Sequence, residues 1–208
     1  MIYRASHHFF LYPFFRFYSV WKTRRNFREV KLTGDFDDRG LPLLVISNHF
    51  SWWDGFWTVY LNEKKFHRLF HFMMLEEQLL KNMFLNKSGG YSVKKGSRSI
   101  AETISYTTEL LRDKKNMVLM FPQGEILSIH TPELRFEKGI EHIIKRCSSE
   151  IHILFLVNLI DYFSWAKPSL FMYFREYKGE DHSTITLENA YNRFYSECRM
   201  KNISIKGA

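Results

Sequence analysis

Leu43-Leu44-Val45-Ile46-Ser47-Asn48-His49-Phe50-Ser51-Trp52-Trp53-Asp54 holds a strand, a turn and the first residues of a helix. The run from Leu43 to Ile46 is apolar, short and without a period, which reads as a strand buried on both faces. At Ser47 and Asn48 the side chains can hydrogen-bond their own backbone, and this favours a turn. Apolar and aromatic residues resume at Trp52, Trp53, Phe56, Trp57 and Tyr60, a spacing that predicts a helix with one apolar face running to about Leu61. Between strand and helix sit a histidine and an aspartate. A neutral imidazole takes a proton near pH 7. A carboxylate on its other nitrogen fixes the tautomer and stabilises the imidazolium. His49 and Asp54, five positions apart across a turn, can meet. The chain has nine histidines, so the pair alone also fits a helix capped by Asn48 or Ser51 beside an incidental histidine.

Outward from this stretch, apolar strands alternate with amphipathic helices. Phe27–Leu32, Phe66–Leu75, Tyr91–Val93, Met117–Phe121, Ile151–Leu159 and Ser169–Phe174 read as strands. Glu76–Phe84, Ser99–Leu111, Gly139–Cys147 and Ile185–Met200 read as helices, with Glu102 placed to close a capping box on Ser99. Residues from Asn202 onward read as frayed. This order predicts an α/β domain with a mostly parallel central sheet flanked by helices. Ligands in open α/β sheets bind beyond the carboxyl ends of the strands. Three polar or glycine-bearing turns are expected there: Asn48–Asp54, Lys94–Ser97 and Pro122–Glu125. Lys94 and Lys95 suit a phosphate or carboxylate, or are solvated surface lysines. Gly124 suits close approach of backbone to a ligand, or is an ordinary turn glycine.

At 208 residues the chain suits one domain with a sizeable core. Its net charge is +8, and aromatics make up 17% of it. A basic, aromatic chain fits an anionic membrane surface or a nucleic acid. No nucleic acid is expected, because the cations are scattered and no recognition motif is present. Residues 1–30 hold His8-Phe9-Phe10-Leu11-Tyr12-Pro13-Phe14-Phe15-Arg16-Phe17-Tyr18 and then Trp21-Lys22-Thr23-Arg24-Arg25. Rings that favour the headgroup level beside cations suit a membrane-interface segment, or an aromatic element packed on the core. Pro13 allows at most a kinked helix here. No apolar run is long enough to cross a bilayer, and no cleavable signal is evident, so a peripheral, monotopic position on the cytoplasmic face is expected. Cys147 and Cys198 have neither metal spacing nor a disulfide framework. His67 and His71 would suit a metal on a helix, but no third ligand is evident, so no metal is expected.

Three motifs together resemble the lysophospholipid acyltransferase family, which includes the 1-acyl-glycerol-3-phosphate acyltransferases. Asn48, His49, Ser51 and Asp54 match its N-H-x-S-x-x-D motif in full. Gly89, Val93 and Lys95 approximate the second motif, where lysine stands for the usual arginine. Phe121-Pro122-Gln123-Gly124-Glu125 approximates F-P-E-G-T, with Gln123 for glutamate and Glu125 for threonine. Val157-Asn158 lies where the family's fourth motif usually has a proline.

The resemblance covers about Leu41 to Leu159. It implies an acyltransferase domain over residues 31–208, with His49 as general base and Asp54 orienting it. Asn48, Ser51, Lys95, Phe121, Pro122, Gln123, Gly124 and Glu125 would form the substrate site. It implies transfer of a fatty acyl group from acyl-CoA or acyl carrier protein, as co-substrate and without a cofactor, to the hydroxyl of a lyso-lipid such as 1-acylglycerol-3-phosphate. The departures cluster in the motifs that shape the acceptor site, which raises a lyso-lipid with an amino-acid headgroup as the alternative acceptor. A non-catalytic lipid-binding protein on the same fold is the further alternative, and a thioesterase is the nearest other enzyme.

Overall fold

The computed structural model describes residues 2–96 and 98–205. Seven strands form one sheet: β1 (Glu29–Asp35), β2 (Leu43–Ser47), β3 (Leu69–Leu75), β4 (Gly90–Val93), β5 (Asn116–Met120), β6 (His152–Asp161) and β7 (Ser169–Glu176). Their spatial order is β1-β7-β6-β2-β5-β3-β4. Strands β2 to β6 all run parallel, while β7 is antiparallel to β6 and pairs in parallel with β1. The expected mostly parallel sheet is therefore present, with two reversed strands at one edge.

Helices cover both faces. α1 (Leu11–Asn26) and α2 (Asp54–Leu61) lie on one; α5 (Ile100–Leu110), α6 (Gly139–Arg146) and α7 (Thr184–Ile203) lie on the other. This explains why β2 is apolar without alternation. Leu44 and Ile46 pack among Ile104, Ile140 and Tyr191, while Leu43 and Val45 pack among Phe15, Phe56 and Val59. A strand covered on both faces needs apolar side chains at every position. The apolar face read for α7 is buried: Leu187, Tyr191, Phe194, Tyr195 and Cys198.

Several local expectations are corrected. α1 is a regular helix of 16 residues, because Pro13 falls in its first turn, where backbone N–H groups have no intrahelical partner to lose. Tyr12, Phe15, Ser19 and Thr23 form its buried stripe, and the Ser19 and Thr23 hydroxyls donate to the carbonyls four residues back. Phe9, Phe10, Phe14, Phe17 and Trp21 stay exposed, so the segment both packs on the core and presents rings outward. The single helix expected over 76–84 is two, α3 (Glu76–Lys81) and α4 (Met83–Asn86), broken where Asn82 leaves helical geometry at φ −135°, ψ 55°. Ser99 takes the N-cap position of α5 with helical backbone angles and makes no side-chain capping bond. The strand read over 66–75 forms as β3 from Leu69, with His71 on it, while His67 sits before it in a left-handed cap after a π-helical turn (Asn62–Phe66). At the other end α7 runs to Ile203, past the expected fraying point at Asn202.

His71 is buried, donates from Nε2 to Asn116 Oδ1 at 3.2 Å, and meets the His7 ring edge-on at 4.7 Å. Burial, helped by His7, pushes its imidazole down to about 4. The unfolded chain binds this proton near the ordinary histidine value, so it holds more protons than the folded chain between about pH 6.5 and 4. Stability therefore falls with acidification across that window. The pKa difference corresponds to about 3 kcal/mol at its lower end. Urea unfolding from pH 7 to 4 should show this loss in the wild type and a markedly smaller one in His71→Gln.

Candidate active site

The carboxyl ends of β2, β4 and β5 lie on one edge of the sheet, as their parallel pairing requires. The chain leaves β2 at Ser47 and turns through Asn48–Trp53 into α2, whose first residue is Asp54. Asp54 is fully buried at the start of that helix, where negative charge is favoured. Its Oδ2 accepts three hydrogen bonds, from the His49 ring Nδ1 at 2.9 Å, the Phe50 amide at 2.9 Å and the Ser51 amide at 2.8 Å. Burial pushes the Asp54 carboxyl above the ordinary carboxylate range, opposed by the His49 ring and the two amides. With Nδ1–H held by Asp54, Nε2 carries the imidazole lone pair.

His49 is fixed from every side. Phe121 stacks on its ring, with centroids 3.9 Å apart and planes 13° from parallel. Its amide donates to Gln123 Oε1 at 2.7 Å, Gln123 Nε2 donates to its carbonyl at 3.4 Å, and the Leu127 amide donates to the same carbonyl at 3.0 Å. The segment after β5 thus wraps the histidine.

This arrangement sorts the residues expected to bind substrate into two groups. Asn48, Ser51 and Gln123 do not line the cavity; their polar side-chain atoms hold backbone instead. Asn48 joins β2 to β6, accepting from the Asn158 amide at 2.8 Å and donating to the Asn158 carbonyl at 3.0 Å. A proline at 158 would delete that donor, which gives a physical reason for a residue other than proline there. Ser51 Oγ accepts from the Trp53 amide at 3.1 Å and shapes the turn. Lys95, Phe121, Pro122, Gly124 and Glu125 do line a cavity of about 690 Å³ together with His49. Its buried end is apolar, with Phe70, Phe72, Leu85 and Ile104, while Trp52, Lys95, Glu125 and Ile126 stand at its exposed end.

Gly124 adopts φ +70°, and a β-carbon there would come within 2.5 Å of Lys95 Nζ. The glycine thus makes room for the lysine as well as for the turn. Lys95 Nζ donates to Glu137 Oε1 at 2.9 Å. Glu137 had no signal in the sequence: it is one acid among many, just before α6. Ser97, at the end of the expected lysine loop, lies outside the described residues.

A buried carboxylate, an oriented imidazole and an apolar cavity at one sheet edge suit proton abstraction beside a long apolar substrate. The acyltransferase family model matches residues 23–156, which include all three motifs, and the chain belongs to that family. Among solved structures the chain is similar to the 1-acyl-sn-glycerophosphate (LPA) acyltransferase PlsC from Thermotoga maritima. The TM-score is 0.62 at 14% identity, over 94% of this chain and 81% of that one. At such identity the likeness speaks for the fold. No curated protein sequence matches the chain.

Proposed function

We propose that this protein is an O-acyltransferase of phospholipid biosynthesis, moving a fatty acyl group from an acyl thioester, on CoA or acyl carrier protein, to a free hydroxyl of a lyso-lipid. The observation that carries this reading is the His49–Asp54 pair facing a cavity with an apolar buried end. His49 Nε2 takes the proton of the acceptor hydroxyl as its oxygen attacks the thioester carbonyl. Asp54 stabilises the imidazolium. The tetrahedral intermediate collapses, the carbon–sulfur bond breaks, and the imidazolium returns its proton to the leaving thiolate. The acyl chain lies along Phe70, Phe72, Leu85 and Ile104, and backbone amides near Gly124 stabilise the oxyanion. The enzyme works peripherally at the cytoplasmic face of an anionic membrane, held by the exposed rings of Phe9, Phe10, Phe14 and Phe17.

The acceptor of the PlsC relative is 1-acyl-sn-glycerophosphate, and lysophosphatidate is the first acceptor to test. One observation favours a second. Lys95 is already paired with Glu137, and Glu125 stands beside them on the cavity. A phosphate on Lys95 meets the Glu137 carboxylate already bound there, whereas a headgroup carrying an ammonium as well as an anion engages both partners. The test is transfer of a labelled acyl group to lysophosphatidate and to amino-acid-headed lyso-lipids. Lysophosphatidate as the better acceptor supports the first reading, and the amino-acid-headed lipid the second. In the second case Glu137→Gln lowers kcat/KM for that acceptor about tenfold, as loss of one charge-assisted contact implies. No transfer to any acceptor, with vesicle binding kept, would leave a lipid-binding protein.

A further inference from the structure

The sheet edge that carries His49 is fringed with exposed aromatic side chains, most of them outside the cavity. β6 runs parallel to β2, so the connection from β6 to β7 emerges on this same edge. Its tip holds Tyr162, Phe163 and Trp165, all exposed. Phe163 sits at φ +46°, a region costly for a bulky residue, and the Trp165 amide closes the turn on the Tyr162 carbonyl at 3.0 Å. Glycine or asparagine would relieve that strain, and neither is present.

Cations surround the tip. The Arg28 guanidinium lies 3.8 Å over the Trp165 ring, and Lys167 Nζ donates to the Arg25 carbonyl at 3.0 Å. The Arg28 amide donates to the Pro168 carbonyl at 2.9 Å. The tip is thereby tied to the last turn of α1, which adds Arg24 and Arg25. Lys22 of α1 in turn lies 5.4 Å from the Trp53 ring, next to the catalytic turn. Glu29 is the acid in contact with this group, within 3.9 Å of Arg28 and 3.4 Å of Lys31. Three tryptophans from three elements share one degree of exposure: Trp21 42%, Trp52 40% and Trp165 45%. Exposed indoles, two of them under arginine guanidinium groups (Arg25 on Trp21, Arg28 on Trp165), are the pattern of a headgroup-level belt.

We infer that the β6–β7 tip is a second bilayer anchor, seated among anionic headgroups and separate from the aromatic face of α1. Together the two anchors turn the His49 edge of the sheet toward the lipid surface. The inference rests on the peripheral membrane position proposed above. It is tested on the full chain by sedimentation with phosphatidylcholine vesicles, with and without phosphatidylglycerol. Tyr162→Ser/Trp165→Ser should weaken partition to the anionic vesicles about tenfold or more, since each ring loses its burial in the interface. Arg28→Gln/Lys167→Gln should weaken binding to anionic vesicles alone, and Phe14→Ser/Phe17→Ser reports on α1. Thermal midpoints unchanged from the wild type establish folding. Wild-type binding by both tip variants, with loss only in the α1 variant, overturns the second anchor and leaves the membrane enzyme standing. A wild type that binds neither vesicle overturns the membrane position and this inference together.

Discussion

His49→Ala lowers acyl transfer by at least about 10²-fold and up to about 10⁴-fold, the range that a positioned general base contributes. The loss falls on kcat, since the alanine removes the proton acceptor while leaving the apolar cavity open to the acyl chain. Asp54→Asn tests the same unit from behind. One Asp54 oxygen accepts from the His49 ring and from two amides, and an asparagine amide nitrogen facing any of these would be repelled. With the carboxamide oxygen kept in that position, Nδ1–H keeps an acceptor but loses the negative charge that stabilises the imidazolium. A loss of about 10³-fold or more is expected, approaching that of His49→Ala. The two losses should not add, because the residues act as one unit. Steady-state kinetics on the single and double variants check this. A double variant slower than the wild type by the product of the two single losses would separate the residues.

Gln123→Leu lowers kcat about 10²-fold while the KM for the acyl donor stays nearly constant. Gln123 is only 7% exposed, and both ends of its amide meet the main chain of His49. Leucine leaves the His49 amide without its acceptor, which costs about 1–3 kcal/mol of stability. It also frees the peptide that aims the ring, and small misplacements of a catalytic group have effects of this size. Gln123→Glu restores the residue usual in the family and keeps an acceptor for the amide. It also sets an oxygen against the His49 carbonyl where Gln123 offers a donor. The glutamate should therefore be better than leucine and worse than glutamine. Equal kcat in all three would make Gln123 a bystander.

The fold was legible wherever burial dictated composition. β2 reads as apolar at every position because helices cover both faces of it, and α7 reads correctly because its buried stripe repeats at helical spacing. The His49–Asp54 pair was legible because both members lie on one turn. What the sequence left hidden depends on contacts between distant segments. Gln123 and Asn48 look like residues for a ligand, yet their partners are the backbone of His49 and of Asn158. Glu137 reaches Lys95 across 42 positions. Local competition misled in two places: Asn82 breaks a helix that its neighbours favour, and Pro13 is harmless because it falls in a first turn. The β6–β7 tip carried no motif, and its aromatic residues gain meaning only from the edge on which they emerge.

The most direct test of the account is transfer from a labelled acyl thioester to lyso-lipid in vesicles, comparing wild type with His49→Ala. The account predicts a diacyl product from the wild type, and from His49→Ala a rate lower by about 10²-fold or more at equal vesicle binding. Equal product from both proteins would contradict the assignment of His49 as the base, and no product from the wild type with any lyso-lipid acceptor would contradict acyl transfer itself.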